Sequence, residues 1–356
     1  MDMYRKALAL AEAGAPFAFA SVVSTRGSTP QKAGSKALFE RAGAVWGTLG
    51  GGCLEAESRR RALQAMDTGQ PDVFYLNLDE DYGWDDGLIC GGKARIFVNP
   101  DVTASLPAYA EALAALGAGG RGALLTYVRE PGGAMGRTVW VPEASFADFG
   151  FPGGAALRAC LEKEACQAFI EEGHNGHGAL EVFAEPVRPS PKLLIAGGGH
   201  VGKAAAHWGA QLGFEVTVVD DRPIFANAKH IPGAHHTICG DIAETVANFP
   251  TDADTYILIV TRGHRHDHQV LARCIKSSAA YIGMIGSRRK SVMIRKAFLE
   301  EGLATEAEWG RVHSPVGLDI GAVTVEEIAG SIAAQLVAAR RGRLGAIGNL
   351  SETVRP

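Results

Sequence analysis

Three consecutive glycines, Gly50, Gly51 and Gly52, stand directly before Cys53, and Glu55 follows two residues on. The stretch behind them, "LEAESRRRALQAMDTG", reads as a helix, so Cys53 opens it. A helix start favours the thiolate, the form that acts as nucleophile and soft ligand. A second string, "LICGGKA", repeats the pairing at Cys90, Gly91 and Gly92. A free cysteine is also commonly a small buried residue. Both accounts stand open for Cys53.

A different chemistry is written at Gly197-x-Gly199-x-x-Gly202, with His200 inside the pattern. It follows an apolar strand, "LLIA", and precedes a helical stretch, "HVGKAAAHWGAQLG". In that context the first glycine permits a turn, the second lets the backbone approach a pyrophosphate, and the third packs helix on strand. The helix start offers free N–H groups to an anion. Asp220 closes the next strand, where a carboxylate accepts bonds from ribose hydroxyls, and Asp221 beside it is an equal candidate. The pattern allows a nucleotide site and an NAD(P)-dependent oxidoreductase. It equally allows a fold that has exchanged its ligand, and no acid–base pair for hydride transfer stands out.

"TRGHRHDH" places His264, His266, Asp267 and His268 after another strand. Its spacing is one residue short of the H-x-H-x-D-H metal signature, so no metal is assigned. His264, His266 and Asp267 would be the ligands if one were held. A polar loop and helix start, with Asp267 placed favourably for the dipole, is the competing account. In "GSRRK" Arg288, Arg289 and Lys290 fall in a first turn, where the dipole disfavours cations; they face either an anion or solvent. Cys53, Cys90 and the histidines together would also suit a redox or metal sensor.

These groups need a frame. "EPVRPSPK" carries three prolines in six residues and breaks the chain into two. The reading is an N-terminal mixed α+β domain over 1–185, a linker over 186–191, a C-terminal domain over 192–345 and a tail over 346–356. The C-terminal part alternates strand and helix: "FEVTVVD", "TYILIVT" and "AAYIGMIG" are apolar runs of the kind buried on both faces. Ser287 caps one helix, and Thr324 with Glu327 forms a capping box for another. This is an α/β class, a Rossmann-like doubly wound parallel sheet. In the first part "FAFASVVS", "SKALFE", "GAVWGTL", "DVFYLNL" and "KARIFVNP" read as strands. "GALLTYVRE" and "GRTVWVPE" read as a hairpin around "PGGAM".

Hydrophobic residues make up 47% of the 356 and charged residues 21%, which is globular composition. A net charge of −4 argues against nucleic acid and against a polybasic membrane surface. The N-terminus lacks a basic segment followed by a clean apolar run, and no stretch is long enough for a bilayer span. Six cysteines without a CxxC pair fit a reducing compartment, so a cytoplasmic location is expected.

In their order, "VVSTRGSTPQKAGSKALF", "GGGCLEAE", "CGGKARIFV", "LLIAGGGHVGKAAA", "VVDDRP", "TRGHRHDHQVL", "YIGMIGSRRK" and "SPVGLDIGAVTVEEIAGSIAAQLV" resemble the XdhC/CoxI family. These are accessory proteins of molybdenum hydroxylases of the xanthine dehydrogenase and carbon monoxide dehydrogenase types. The resemblance covers most of the chain. It implies a protein that is not itself an enzyme. Such a protein binds the molybdenum cofactor, protects it while a sulfido ligand is installed, and helps insert it into the apo-hydroxylase. The cofactor would be bare molybdopterin or a dinucleotide form. The implied partners are the hydroxylase and a cysteine desulfurase, with a homodimer as the default assembly. The family motifs fall on Gly50, Gly51, Gly52, Cys53, Glu55, Cys90, Gly91, Gly92, Gly197, Gly199 and Gly202. A helix start with its glycine loop, together with Arg288 and Lys290, would then hold the phosphate of the cofactor.

Overall fold

The structure, a computed structural model, describes residues 1–77, 92–172 and 179–346. The chain forms two compact units, Met1–Pro189 and Ser190–Pro356.

The first unit begins α1 (Asp2–Glu12), β1 (Phe17–Arg26), β2 (Lys36–Glu40), β3 (Val45–Gly47), α2 (Gly52–Thr68), β4 (Asp72–Asn77) and β5 (Lys93–Asn99). The strands form an antiparallel sheet in the order β3-β2-β1-β5-β4. It continues with α3 (Leu106–Gly117), β6 (Gly122–Arg129), β7 (Thr138–Pro142), α4 (Gly154–Lys163), β8 (Gln167–Glu171) and β9 (Leu180–Val187). These make a second antiparallel sheet, β7-β6-β9-β8, in which β6 and β7 are the hairpin expected around "PGGAM". Alternation along β1 sends Ala18, Ala20 and Val22 to α2, where Leu54, Ala62 and Ala65 cover them. Val23 and Phe97 point the other way and pack on Val128 and Phe183 of the second sheet. Leu157 and Leu161 of α4 close its outer face.

Two buried ion pairs cross between these sheets. Glu181 on β9 holds Arg95 on β5 in a two-pronged ion pair, and Glu185 on β9 holds Lys36 on β2. Tyr4 of α1 donates its hydroxyl to Glu185 at 2.6 Å. Buried charge persists only when paired and hydrogen-bonded. β9 runs through Pro186 and Val187, so two residues of the expected linker are strand. The ladder to β8 ends at Ala184, which puts Pro186 at a sheet edge, where a strand tolerates proline.

The second unit contains β10 (Lys192–Ala196), α5 (His200–Gln211), β11 (Glu215–Asp220), β12 (His236–Cys239), α6 (Ile242–Asn248), β13 (Thr255–Ile259) and α7 (His264–Cys274). It ends with β14 (Tyr281–Met284), α8 (Arg288–Glu300), α9 (Glu306–Trp309), β15 (Val312–His313) and α10 (Val325–Arg340). All six strands are parallel, in the order β12-β11-β10-β13-β14-β15. The sheet grows one way from β10 and then the other, and the crevice at that reversal is where such sheets take ligands. Leu193 and Ile195 face α5 and α10; Leu194 and Ala196 face α6, α7 and α8. Burial on both faces explains the unbroken apolar runs. Ser287 accepts from the Lys290 N–H at 3.2 Å, and the Thr324–Glu327 capping box is formed. The fold is therefore α/β, a Rossmann-like parallel sheet after a mixed domain of antiparallel sheets. Among the described residues no helix is long and apolar enough to cross a membrane.

Candidate functional site

In the first unit the glycine turn before α2 is built from left-handed backbone. Gly50, Gly51 and Gly52 have φ of 127°, 75° and 55°, values that side chains strain to reach. Leu54, Ser58, Ala62 and Ala65 are the buried stripe of α2. Cys53 lies one position off that stripe and is exposed, so the small-buried-residue account of it does not hold. Glu55 does not face outward as a free carboxylate. It accepts from the Thr48 hydroxyl at 2.9 Å, and that hydroxyl accepts from the Gly50 N–H at 3.0 Å. Glu55 thus braces the turn that presents Cys53. Farther along, Arg60 and Arg61 are occupied by Glu57.

Cys90 and Gly91 lie outside the described residues. Gly92 is described, and a Cβ there would overlap the Ser28 carbonyl oxygen. A Cβ on Gly50 would come 2.9 Å from Pro30. Both glycine positions therefore close on one segment, Ser28–Gln31, which follows β1. The segment lies within the resemblance string "VVSTRGSTPQKAGSKALF", yet none of its residues is among those expected at the site, although "GSTP" signals a turn.

The five described cysteines divide by environment. Cys53 and Cys239 are exposed, and Cys160 and Cys274 are buried. Burial pushes the Cys274 thiol up to about 12 and the half-buried Cys166 likewise to about 12, with Glu185 adding to the latter. Native alkylation with iodoacetamide is expected to modify Cys53 and Cys239 first, leaving Cys160, Cys166 and Cys274 for the unfolded chain. Peptide mass spectrometry checks this; Cys166 labelling as fast as Cys53 would contradict the packing described.

In the second unit Gly197, Gly199, His200 and Gly202 form the turn from β10 into α5, with Gly199 as the cap residue. A Cβ on Gly202 would overlap the Gly197 carbonyl, while one on Gly199 would meet no atom within 4 Å. Gly202 is thus the packing glycine and Gly199 the open one. Between them Gly198 is gripped from both sides. Its N–H donates to Asp220 Oδ2 at 2.8 Å, and its carbonyl lies 3.1 Å from His230 Nε2.

The sequence directs Asp220 toward a ribose, but its carboxylate is 2% exposed and already engaged. Besides Gly198 it accepts from the Arg222 backbone at 3.0 Å and from Arg222 Nε and Nη2 at 2.9 and 3.0 Å. Burial alone would raise its pKa; the Arg222 guanidinium and the two backbone donors outweigh that and hold it below the usual value.

The histidine segment forms the start of α7. Asp267 is fully buried and accepts from the Thr261 N–H at 3.1 Å and the Thr261 hydroxyl at 2.6 Å. Its other oxygen pairs with Lys290 of α8, which also donates to the Ile285 carbonyl at 3.2 Å. His268 packs edge-on against Phe298. Among the described residues no three of His, Cys, Asp and Glu gather as metal ligands. Lys290, expected as a phosphate-holding cation, is instead the partner of a buried carboxylate. Arg288 remains exposed, 3.4 Å from Asp319.

A parallel sheet with a glycine turn at its reversal point, following a two-sheet antiparallel unit in chain order, is the architecture of a two-part protein with a Rossmann domain. Residues 193–336 match the XdhC Rossmann domain and residues 10–77 match the XdhC and CoxI family. The chain belongs to the XdhC and CoxI family. It is 24% identical over 326 residues to a Bacillus subtilis protein described as a probable subunit of xanthine dehydrogenase, covering 90% of this chain and 92% of that one. It is also 24% identical over 351 residues to the Escherichia coli protein YqeB. That match takes in 98% of this chain but 48% of YqeB, so the chain spans about half of that relative's length. A crystal structure of a protein described as a xanthine dehydrogenase, from Bacillus halodurans, is similar with a TM-score of 0.75 at 25% identity. The match covers 98% of this chain and 99% of that one.

Proposed function

We propose that this protein is an accessory factor of a xanthine dehydrogenase-type molybdenum hydroxylase. In this reading it binds the molybdenum cofactor, shelters it during sulfuration and helps insert it into the apo-enzyme. A cysteine desulfurase supplies the sulfur, and the protein works in the cytoplasm as a binder, not a catalyst. Family membership and the description of the Bacillus subtilis relative support the hydroxylase connection. The observation that carries the cofactor reading is Cys53: an exposed thiol at the start of α2, behind a turn with no side chains. A thiol is the donor suited to molybdenum–sulfur chemistry. Around Gly51 there is open space, with no atom within 4 Å of where a Cβ would stand. Cys53 would hold the metal end of the cofactor, Gly50–Gly52 would let its bulk approach the backbone, and Glu55 would keep that turn in place. When bound, the group supplies the molybdenum–sulfur centre that the hydroxylase later uses.

The Rossmann unit takes a nucleotide in this reading, from the dinucleotide form of the cofactor or from NAD(P). The open Gly199 at the start of α5 favours it. The second reading, an NAD(P)-dependent oxidoreductase, rests on that same turn. Turnover of a small carbonyl or alcohol with NAD or NADP would promote it.

Expression in a host that makes the cofactor tests the proposal. Pterin and molybdenum are expected to copurify, and the protein is expected to raise activation of the apo-hydroxylase. Absence of both, with no effect on activation, would overturn it.

A further inference from the structure

At the carboxyl end of β11 a carboxylate is expected to read a ribose diol. Asp220 has no capacity to do so. A carboxylate has about four acceptor positions. Asp220 receives bonds from Gly198 and, three times over, from Arg222. What this strand end turns toward solvent is the guanidinium of Arg222. Its side chain is 34% exposed and lies 3.9 Å over the Phe225 ring, a backing that fixes the plane of the guanidinium. A second guanidinium comes from the loop after β13: Arg262 bonds Asp221 at 2.7 Å. Asp221 is also 3.8 Å from Arg222 Nε. Two arginines from two strand ends thus bracket one partly exposed carboxylate. That carboxylate occupies the place of an anion, and a phosphate, with three oxygens, offers more acceptors to two guanidinium groups than the single contact Asp221 makes with Arg262.

We infer that the Rossmann crevice takes a nucleotide whose ribose bears a second phosphate, an NADP-type ligand, in preference to one with a free 2′-hydroxyl. The inference rests on the reading that this crevice holds a nucleotide. It distinguishes between the two sources named above, because the nucleotide half of a dinucleotide cofactor lacks that phosphate. Arg222 and Arg262 would grip the added phosphate, and Asp221 would give way to it.

Calorimetric titration of the full chain with 2′,5′-ADP, 5′-AMP, NADP, NAD, CMP and GMP tests this. 2′,5′-ADP is expected to bind at least about tenfold more tightly than 5′-AMP, and NADP than NAD by a similar factor. Arg262→Gln replaces an exposed side chain and leaves the core intact; it is expected to shrink that preference severalfold, as is Arg222→Gln. Asp221→Asn is expected to strengthen 2′,5′-ADP binding. Equal affinity for 2′,5′-ADP and 5′-AMP, tighter binding of CMP or GMP, no binding of any probe at millimolar concentration, or a preference that survives both arginine variants would each overturn it. Pterin content of the same wild-type preparation reports separately on the accessory reading, so the two fail independently.

Discussion

Lys290→Met is expected to destabilise the Rossmann unit by about 3 kcal/mol, the lower end of what breaking a buried ion pair costs. Asp267 is completely buried at the start of α7, and Lys290 of α8 is its counter-charge. Thr261 after β13 holds the carboxylate's other oxygen through both N–H and hydroxyl. One carboxylate therefore ties two helices to a strand end. Methionine fills the space of the lysine stem but leaves the charge of Asp267 without a partner. The lysine side chain is 23% exposed, so water recovers part of the loss. Urea denaturation measures the change. Adding Asp267→Asn to Lys290→Met is expected to restore much of the stability, because a neutral amide tolerates the site better than an orphaned carboxylate. A loss under about 1 kcal/mol, or no recovery in the double variant, would show that the pair does not organise this strand end.

Cys53→Ala carries the second large effect, on function and not on folding. The side chain is exposed and off the buried stripe of α2, so stability should change by no more than about 0.5 kcal/mol. Cofactor retention, read as pterin per chain, and activation of the apo-hydroxylase are expected to fall by about tenfold or more. Cys53→Ser keeps size and polarity but removes the soft donor, so it is not expected to rescue either readout. Wild-type activation by Cys53→Ala would make this thiol a bystander.

The two units differ in how much their residues disclose. "LLIA" and "TYILIVT" announce β10 and β13 because both faces of those strands are buried. β12, "HTIC", gives no such signal: it is an edge strand with exposed ends. β15 is only two residues long. In the first unit β9, "LEVFAEPV", hides behind two glutamates, which read as surface until Arg95 and Lys36 are seen beside them. Those partners lie 86 and 149 residues away, beyond any local pattern. Likewise the closure of Gly50 and Gly92 on Ser28–Gln31 is a tertiary fact. The engagement of Asp220 is nearer to hand. Its partner Arg222 is two residues on, in "VVDDRP", and a short ion pair of that kind competes directly with ligand for a carboxylate.

Glu181 and Glu185 sit four residues apart on one face of β9, with Phe183 between them. Apolar contact alone would accept the second sheet at several offsets along the strand. The two charges do not. A slide of two residues would set Phe183 against a cation and put one carboxylate in the apolar place of Phe183. A slide of four would bring one glutamate to the other's partner and strand the remaining pair. Each misplaced ion costs several kcal/mol, roughly the whole margin by which a domain of this size is stable. The pairs thus work as a vernier: they mark a single alignment of the two sheets and penalise every neighbouring one.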